Sequence, residues 1–183
     1  MRNRCRWVNM KNPLYIQYHD QEWGVPLHDD RALFELLILE GFQAGLSWEC
    51  VLNKREAFRR AFEGFDPEQV SRYDDAKCAA LLADPGIIRN RRKVYAAVAN
   101  ARVFLDIQKE FGSFDAYIWH FTDGQAVHES YDIRTTSPLS DRVSKDLQKR
   151  GMKFVGSTII YSYLQAMGVL DAHGRECDCY KAK

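Results

Sequence analysis

The chain has 183 residues, of which 46% are hydrophobic, and a formal net charge of +1. That length suits one domain, or one domain with a small lobe, and the apolar fraction is enough for a sizeable core. Near-neutrality excludes a nucleic-acid binder that works through bulk basicity, so any polyanion contact has to come from local patches and backbone amides.

The chain opens Met1-Arg2-Asn3-Arg4-Cys5-Arg6-Trp7, charged and with no apolar stretch behind it, which argues against a signal peptide. No run is long enough to span a membrane, and no internal repeat or low-complexity tract is evident. The expectation is a soluble, intracellular protein. Aromatic residues gather early, at Trp7, Tyr15, Tyr18 and Trp23. Taken singly, such side chains more often serve a core than a ligand cage.

Ala32 to Leu39 is apolar almost all round, which predicts a helix lying in the core. Glu40 follows directly. A carboxylate at a helix C-terminus opposes the helix dipole, so Glu40 is either a solvated helix-end charge or a buried recognition group. Next, Trp48, Val51, Leu52, Phe58 and Phe62 keep helical spacing in one segment, and Asp66-Pro67 reads as an N-cap with proline at the first helical position. Pro85-Gly86-Ile87-Ile88-Arg89-Asn90-Arg91-Arg92-Lys93 opens a long amphipathic helix whose face carries Val94, Ala97, Val98, Ala101, Phe104, Leu105 and Gln108. Nothing alternates convincingly with period two, and the strand-like piece Gln125 to Glu129 is short. The reading is one all-α domain over residues 1–183, with roughly eight helices.

Ser137-Pro138 repeats the cap device. Leu139, Val143 and Leu147 then mark one face of a helix that should end near Arg150-Gly151, where glycine can take the left-handed cap. Met152 to Gly156 makes a short turn, and a second helix starts at Ser157 or Thr158, apolar almost all round from Ile159 to Met167. Residues 139–168 thus form a helix–hairpin–helix. Gly151 and Gly156 let the backbone approach another chain closely. Free amides at the second helix's start can hold a phosphate, beside the charges of Lys145, Lys149, Arg150 and Lys153. Such a device binds DNA backbone without reading sequence; an ordinary αα-hairpin with a solvated lysine face has the same pattern.

Five cysteines is an odd number, and in a reducing compartment they are thiols or metal ligands rather than disulfides. Cys5 and His19 lie near the start, and His173 and Cys177 near the end. Four such donors suit tetrahedral Zn²⁺ in a closed, structural site that clips the chain ends together. The alternative is that these residues are unrelated. Cys179 competes with Cys177 as a ligand, and Cys177-Asp178-Cys179 also suits an exposed or redox thiol pair. Cys50 and Cys78 fall in helical segments, as core or half-buried thiols.

Several stretches, in this order, resemble the DNA-3-methyladenine glycosylase I family of the helix–hairpin–helix DNA glycosylase superfamily. They are Cys5-Arg6-Trp7, Pro13-Leu14-Tyr15-Ile16-Gln17-Tyr18-His19-Asp20, Glu22-Trp23-Gly24-Val25-Pro26, Leu39-Glu40-Gly41, Gln43-Ala44-Gly45-Leu46-Ser47-Trp48, Gly86-Ile87-Ile88-Arg89, Lys149 to Gly156, Tyr161-Ser162 and Gln165-Ala166. The likeness runs from Cys5 to about Tyr180. It implies a helix–hairpin–helix DNA glycosylase fold with Cys5, His19, His173 and Cys177 as ligands of a structural zinc. It implies Glu40 as the base-recognition and catalytic carboxylate, and Tyr15, Tyr18 and Trp48 as pocket aromatics with Trp7 nearby. Gly45-Leu46 matches the wedge that enters the duplex, and Gly151, Lys153 and Gly156 match the DNA-backbone anchor. Phe42 departs from the pattern, standing beside the wedge where a glutamine is familiar.

The implied partner is double-stranded alkylated DNA. The implied activity is hydrolytic excision of 3-methyladenine, leaving an abasic site, by a monomer in the bacterial cytoplasm associated with the nucleoid. Many superfamily relatives stabilise the sugar cation with an aspartate a turn or two beyond the hairpin's second helix, where Asp171 lies; beside His173 and in this family it is expected to be structural or to support the metal ligand, with a catalytic role as the alternative. No lysine stands in a Schiff-base position, so β-lyase activity is not expected. Two rivals are a non-catalytic damage-binding module with the same hairpin and a metal-dependent phosphohydrolase suggested by His19-Asp20 and His28-Asp29.

Overall fold

A computed structural model describes residues 2–129 and 134–180. Ten α-helices lie among them: α1 (Pro13–Gln21), α2 (Asp30–Gln43), α3 (Trp48–Leu52), α4 (Arg55–Ala61), α5 (Pro67–Ser71), α6 (Asp75–Ala83), α7 (Arg91–Phe111), α8 (Phe114–Trp119), α9 (Pro138–Lys149) and α10 (Ser157–Ala166). Two residues of β1 (Val127–His128) pair in parallel with two of β2 (Leu170–Asp171). No helix among the described residues is long and apolar enough to cross a membrane.

The helix count exceeds the expected eight partly because the stretch from Trp48 to Phe62 is two helices, not one segment. The break at Asn53-Lys54 is held from outside. Asn12 Nδ2 donates to Asn53 Oδ1 at 2.9 Å, and Lys54 Nζ donates to the carbonyls of Pro85 and Gly86 at 3.2 and 3.3 Å. Other boundaries follow local signals. The Asp66 carboxylate accepts from the amides of Glu68 and Gln69, with Pro67 at the first position of α5. Ser137 and Ser140 form a reciprocal capping box ahead of α9.

Helix α2 is buried from Leu33 to Phe42 and packs on α3, α7, α8 and α10. A helix apolar on every side has no stable place except the core. Phe34 meets Phe104 of α7 at 5.0 Å, and Phe42 meets Phe58 of α4 at 4.8 Å. Burying each such side chain contributes about 1.5–3 kcal/mol.

At the end of α10 the chain turns at Gly168, with φ +78°; a Cβ there would stand 2.2 Å from the Val25 carbonyl carbon. This close approach lets Gly24 N–H donate to Gln165 O at 2.9 Å and Leu27 N–H to Met167 O at 3.0 Å. The C-terminal segment is thereby laid on the N-terminal one, where Asp178 N–H reaches Asn3 O at 3.0 Å.

The α9–α10 hairpin has the expected form. Val143 and Leu147 are buried while Leu139 is half-buried, and Gly151 has φ +103°. Ser144 Oγ donates to Val155 O at 2.7 Å, which ties the turn to α9.

Candidate active site

Four helix ends converge on one cavity. α1, capped by the Asn12 side chain, presents Tyr15, Tyr18 and His19 along one side. The last turn of α2 carries Glu40 and Gln43. Ser47 caps α3, accepting from Cys50 N–H at 3.2 Å, and so sets Trp48 at its first position. Ser162 and Gln165, three apart on α10, share a face. Together with Trp7 and Trp23 these residues line a cavity of about 260 Å³. Tyr18 and Trp48 lie with ring centroids 5.3 Å apart, Trp7 and Tyr15 at 5.4 Å, and Trp7 stands edge-on to Trp23 at 4.8 Å. The aromatics proposed for the pocket, Trp7, Tyr15, Tyr18 and Trp48, are therefore gathered with Glu40. Trp23 stands among the early aromatics but has no pocket role in the sequence reading, and Gln43, Ser162 and Gln165 have none; a polar pair three apart in the mostly apolar stretch from Ile159 to Met167 is the signal that marks the last two.

Of the two placements open to Glu40, the structure has the buried one, at 3% exposure. Its Oε2 and the indole Nε1 of Trp48 have no hydrogen-bond partner. An orphaned buried polar group costs roughly 1–3 kcal/mol, so the cavity holds one acceptor and one donor in reserve for an occupant. Burial without a counter-charge pushes the Glu40 carboxyl up to about 8. The Tyr18 hydroxyl is pushed well above its ordinary value by burial, with the charge of Glu40 adding to it. A cationic or hydrogen-donating occupant would draw the Glu40 proton off.

Cys5, His19, His173 and Cys177 are all buried, with their donor atoms within 4.8 Å of one another. Cys177 Sγ lies 3.5 Å from His19 Nε2 and 3.6 Å from His173 Nδ1, and Cys5 Sγ lies 3.6 Å from His173 Nδ1. Zinc–sulfur and zinc–nitrogen bonds of ~2.3 and ~2.0 Å at a tetrahedral angle give a sulfur–nitrogen edge of about 3.5 Å, so the donor set fits such an ion. The second ring nitrogens are also engaged. His19 Nδ1 pairs with Asp20 at 2.8 Å, and His173 Nε2 lies 3.2 Å from the Trp23 carbonyl. Asp20 is in turn gripped by Arg4 at 2.8 and 2.7 Å. Burial pushes the Cys5 thiol up to about 12; a divalent cation among these donors reverses that. Cys179 lies outside that set of four but groups with His19 and Asp20, donor atoms again within 4.8 Å of one another, and its amide donates to Cys177 Sγ at 3.4 Å. His19 meets Trp7 at 5.3 Å and His173 meets Trp23 at 4.6 Å, so this cluster backs the cavity wall.

The turn from α2 to α3 carries Gly45 at φ +79° and Leu46, which is 44% exposed. Phe42 points the other way, into Phe58 and Phe62. In the hairpin turn Gly151 and Lys153 are exposed, and Gly156 is the N-cap of α10. Arg150, expected to add free charge there, is instead bound by Asp146 at 2.7 Å and Glu110 at 2.6 Å. Asp171 is buried, pairing with His128 at 3.2 Å and accepting from His173 N–H at 3.3 Å, and it does not line the cavity. The pair His28-Asp29 forms no donor cluster: His28 binds Asp115, and Asp29 caps α2.

Residues 7–181 match the methyladenine glycosylase family. The chain is 45% identical over 181 residues to DNA-3-methyladenine glycosylase 1 of Escherichia coli (strain K12), covering 97% of this chain and 96% of that one. It is similar to a crystal structure of 3-methyladenine DNA glycosylase I, with TM-score 0.94 and 46% identity over 98% of this chain and 100% of the other. A variant of 3-methyladenine DNA glycosylase I solved in complex with 3-methyladenine matches with TM-score 0.89 and 38% identity, over 92% and 93% of the two chains.

Proposed function

The chain belongs to the methyladenine glycosylase family, and from that premise we propose that it is a DNA-repair N-glycosylase. In this reading it turns 3-methyladenine out of alkylated duplex DNA and hydrolyses the base–sugar bond, leaving an abasic site with no lyase step. The observation that carries the reading is the buried, unpartnered carboxyl of Glu40 in a cavity walled by Tyr15, Tyr18 and Trp48.

A base inside the stack cannot be reached, so it has to be everted. Leu46, exposed at the tip of a sharp turn, fills the gap and offsets part of the lost stacking. Methylation at N3 leaves the adenine ring positively charged while it is still bonded to the sugar. Tyr and Trp faces attract such a ring by about 0.5–2 kcal/mol per contact. Glu40 accepts a hydrogen bond from the exocyclic amine, and the cation favours its ionised form. The glycosidic electron pair then passes to the ring, which leaves as a neutral base, so little general-acid help is needed. Water adds to the sugar carbon and loses a proton to solvent. Unmodified adenine lacks the charge, so it stacks and hydrogen-bonds more weakly here and is a poorer leaving group.

Gly151, Lys153 and Gly156 hold a backbone phosphate against the start of α10, without reading sequence. The cavity lining contains no lysine, which supports the absence of a Schiff-base step. Cys5, His19, His173 and Cys177 would hold zinc, which supplies structural closure there, since four protein donors leave no open position. The reading takes residues 1–183 as one domain, acting as a monomer on nucleoid DNA in the cytoplasm.

Incubation with methylated duplex DNA, followed by chromatography of released bases, tests this. Free 3-methyladenine should appear, with strand breaks only after alkali. Tight binding to the damaged duplex without free base would overturn it in favour of a damage-binding module.

A further inference from the structure

Helix α7 buries two polar side chains, Lys93 and Asn100, on its core-facing side. Seven residues apart, they lie on one face, about 10 Å along the axis. Lys93 Nζ donates to the carbonyls of Phe42 and Ala44, at 2.8 and 2.5 Å. These carbonyls close the C-terminal end of α2, where backbone acceptors run out of helical partners and the dipole is negative. The next residues are Gly45 and Leu46. Asn100 takes both backbone groups of Lys153 in the hairpin turn, donating to its carbonyl and accepting from its amide, each at 2.8 Å. Phe154 completes the bridge. Its ring lies 6.0 Å from Lys93 Nζ, and a Cβ on Gly41 would stand 3.5 Å from its own Cβ.

One rigid helix therefore grips both the turn that carries the wedge and the turn that meets the DNA backbone. We infer that Lys93 is a positioning residue, whose ammonium fixes Leu46 at a set distance from the hairpin held by Asn100, so that wedge insertion and backbone grip coincide. This rests on the glycosylase reading. Lys93 does not line the Glu40 cavity, so its loss should spare binding of the free base. Burial lowers the Lys93 ammonium below its ordinary value, a cost the two carbonyls offset.

The test compares wild type with Lys93→Met, which keeps length and removes charge and donors, and with Lys93→Arg. In Lys93→Met, amide exchange at Leu46, whose N–H donates to Gln43 O at 2.6 Å, should quicken. Excision from methylated duplex should fall about tenfold, while excision from methylated single strands and fluorescence titration with free 3-methyladenine change little. Lys93→Arg should restore most of both. Equal losses on duplex and single strands, unchanged exchange at Leu46, or no rescue by arginine would each overturn the assignment. If Lys93→Met does not fold, Lys93→Gln carries the same comparison. A wild-type protein that releases no base from either substrate overturns the glycosylase reading instead, and exchange at Leu46 then decides the hold of Lys93 on the turn.

Discussion

The two halves of α2 bury a glutamate each and treat it in opposite ways. Glu35, in the first half, is clamped by Arg55 and Arg59 of α4, with Arg59 Nε at 3.0 Å. Glu40, five residues on, meets no cation and leaves Oε2 orphaned in a cavity of rings. Both are costly to desolvate, but only the first is offset inside the fold. A carboxylate with its counter-charges in place ties helices together; one without them is held for a visitor that brings the missing charge.

The largest test of this contrast lies behind the Glu40 side. Its wall of Trp7 and Trp23 leans on His19 and His173, whereas the Glu35 clamp touches none of the cysteine–histidine cluster. If that cluster holds zinc, stripping it with a chelator should cost at least about 5 kcal/mol, or roughly 10 °C or more in Tm by calorimetry for a chain of this size. An unchanged melting curve on removal of a confirmed ion would detach the cluster from the wall.

Glu40→Gln comes next. The release rate of 3-methyladenine should fall about 100-fold, the worth of one charge-assisted hydrogen bond, with Tm held or raised. The variant also carries a pH signature. The folded carboxyl titrates at about 8 against an ordinary 4.5, so the folded state binds the extra proton between those values. Wild-type stability from this group is fully present below 4.5 and is lost as pH rises through 8. Urea melts at pH 5 and 8 should show wild type losing ground to Glu40→Gln; parallel curves would remove the buried titration. Smaller again, Glu35→Gln should cost about 2 kcal/mol in the same melts. Arg59 is 39% exposed and Arg55 keeps Glu22 at 2.7 Å, which softens the loss. Activity per folded molecule should stay level. A Glu35→Gln protein that melts normally yet excises poorly would erase the distinction between the two glutamates.

How much of this could be read from residues alone depended on how far away the deciding partners lie. The starts of α5 and α9 are legible because Asp66 and Ser137 cap amides two or three positions on. The break at Asn53-Lys54 is not, because Asn12, Pro85 and Gly86 enforce it across the fold. Residue type marks the candidate metal donors, and distance agrees with the family resemblance in grouping Cys177 with Cys5, His19 and His173, while Cys179 groups with His19 and Asp20. Glu40 was visible as a charge at the end of an apolar helix, yet Glu35 is drawn in the same letters; which one lacks arginines is a tertiary fact. Lys93 and Asn100 could have been noticed as polar residues at core spacing on α7, but their targets, the ends of two other elements, could not.

The joining of residue 24 to residue 165 and of Trp23 to His173 also sets an order of events during synthesis. The ribosome delivers Trp7, Tyr15, Tyr18 and Trp23 long before Gln165 and His173, the neighbours that α10 and the segment after it bring to them. Until then the cavity lacks its α10 side, and those rings present a sticky nascent surface of the kind that holdase chaperones shield. A pause in elongation anywhere between the emergence of these rings and the synthesis of α10 should therefore prolong chaperone occupancy.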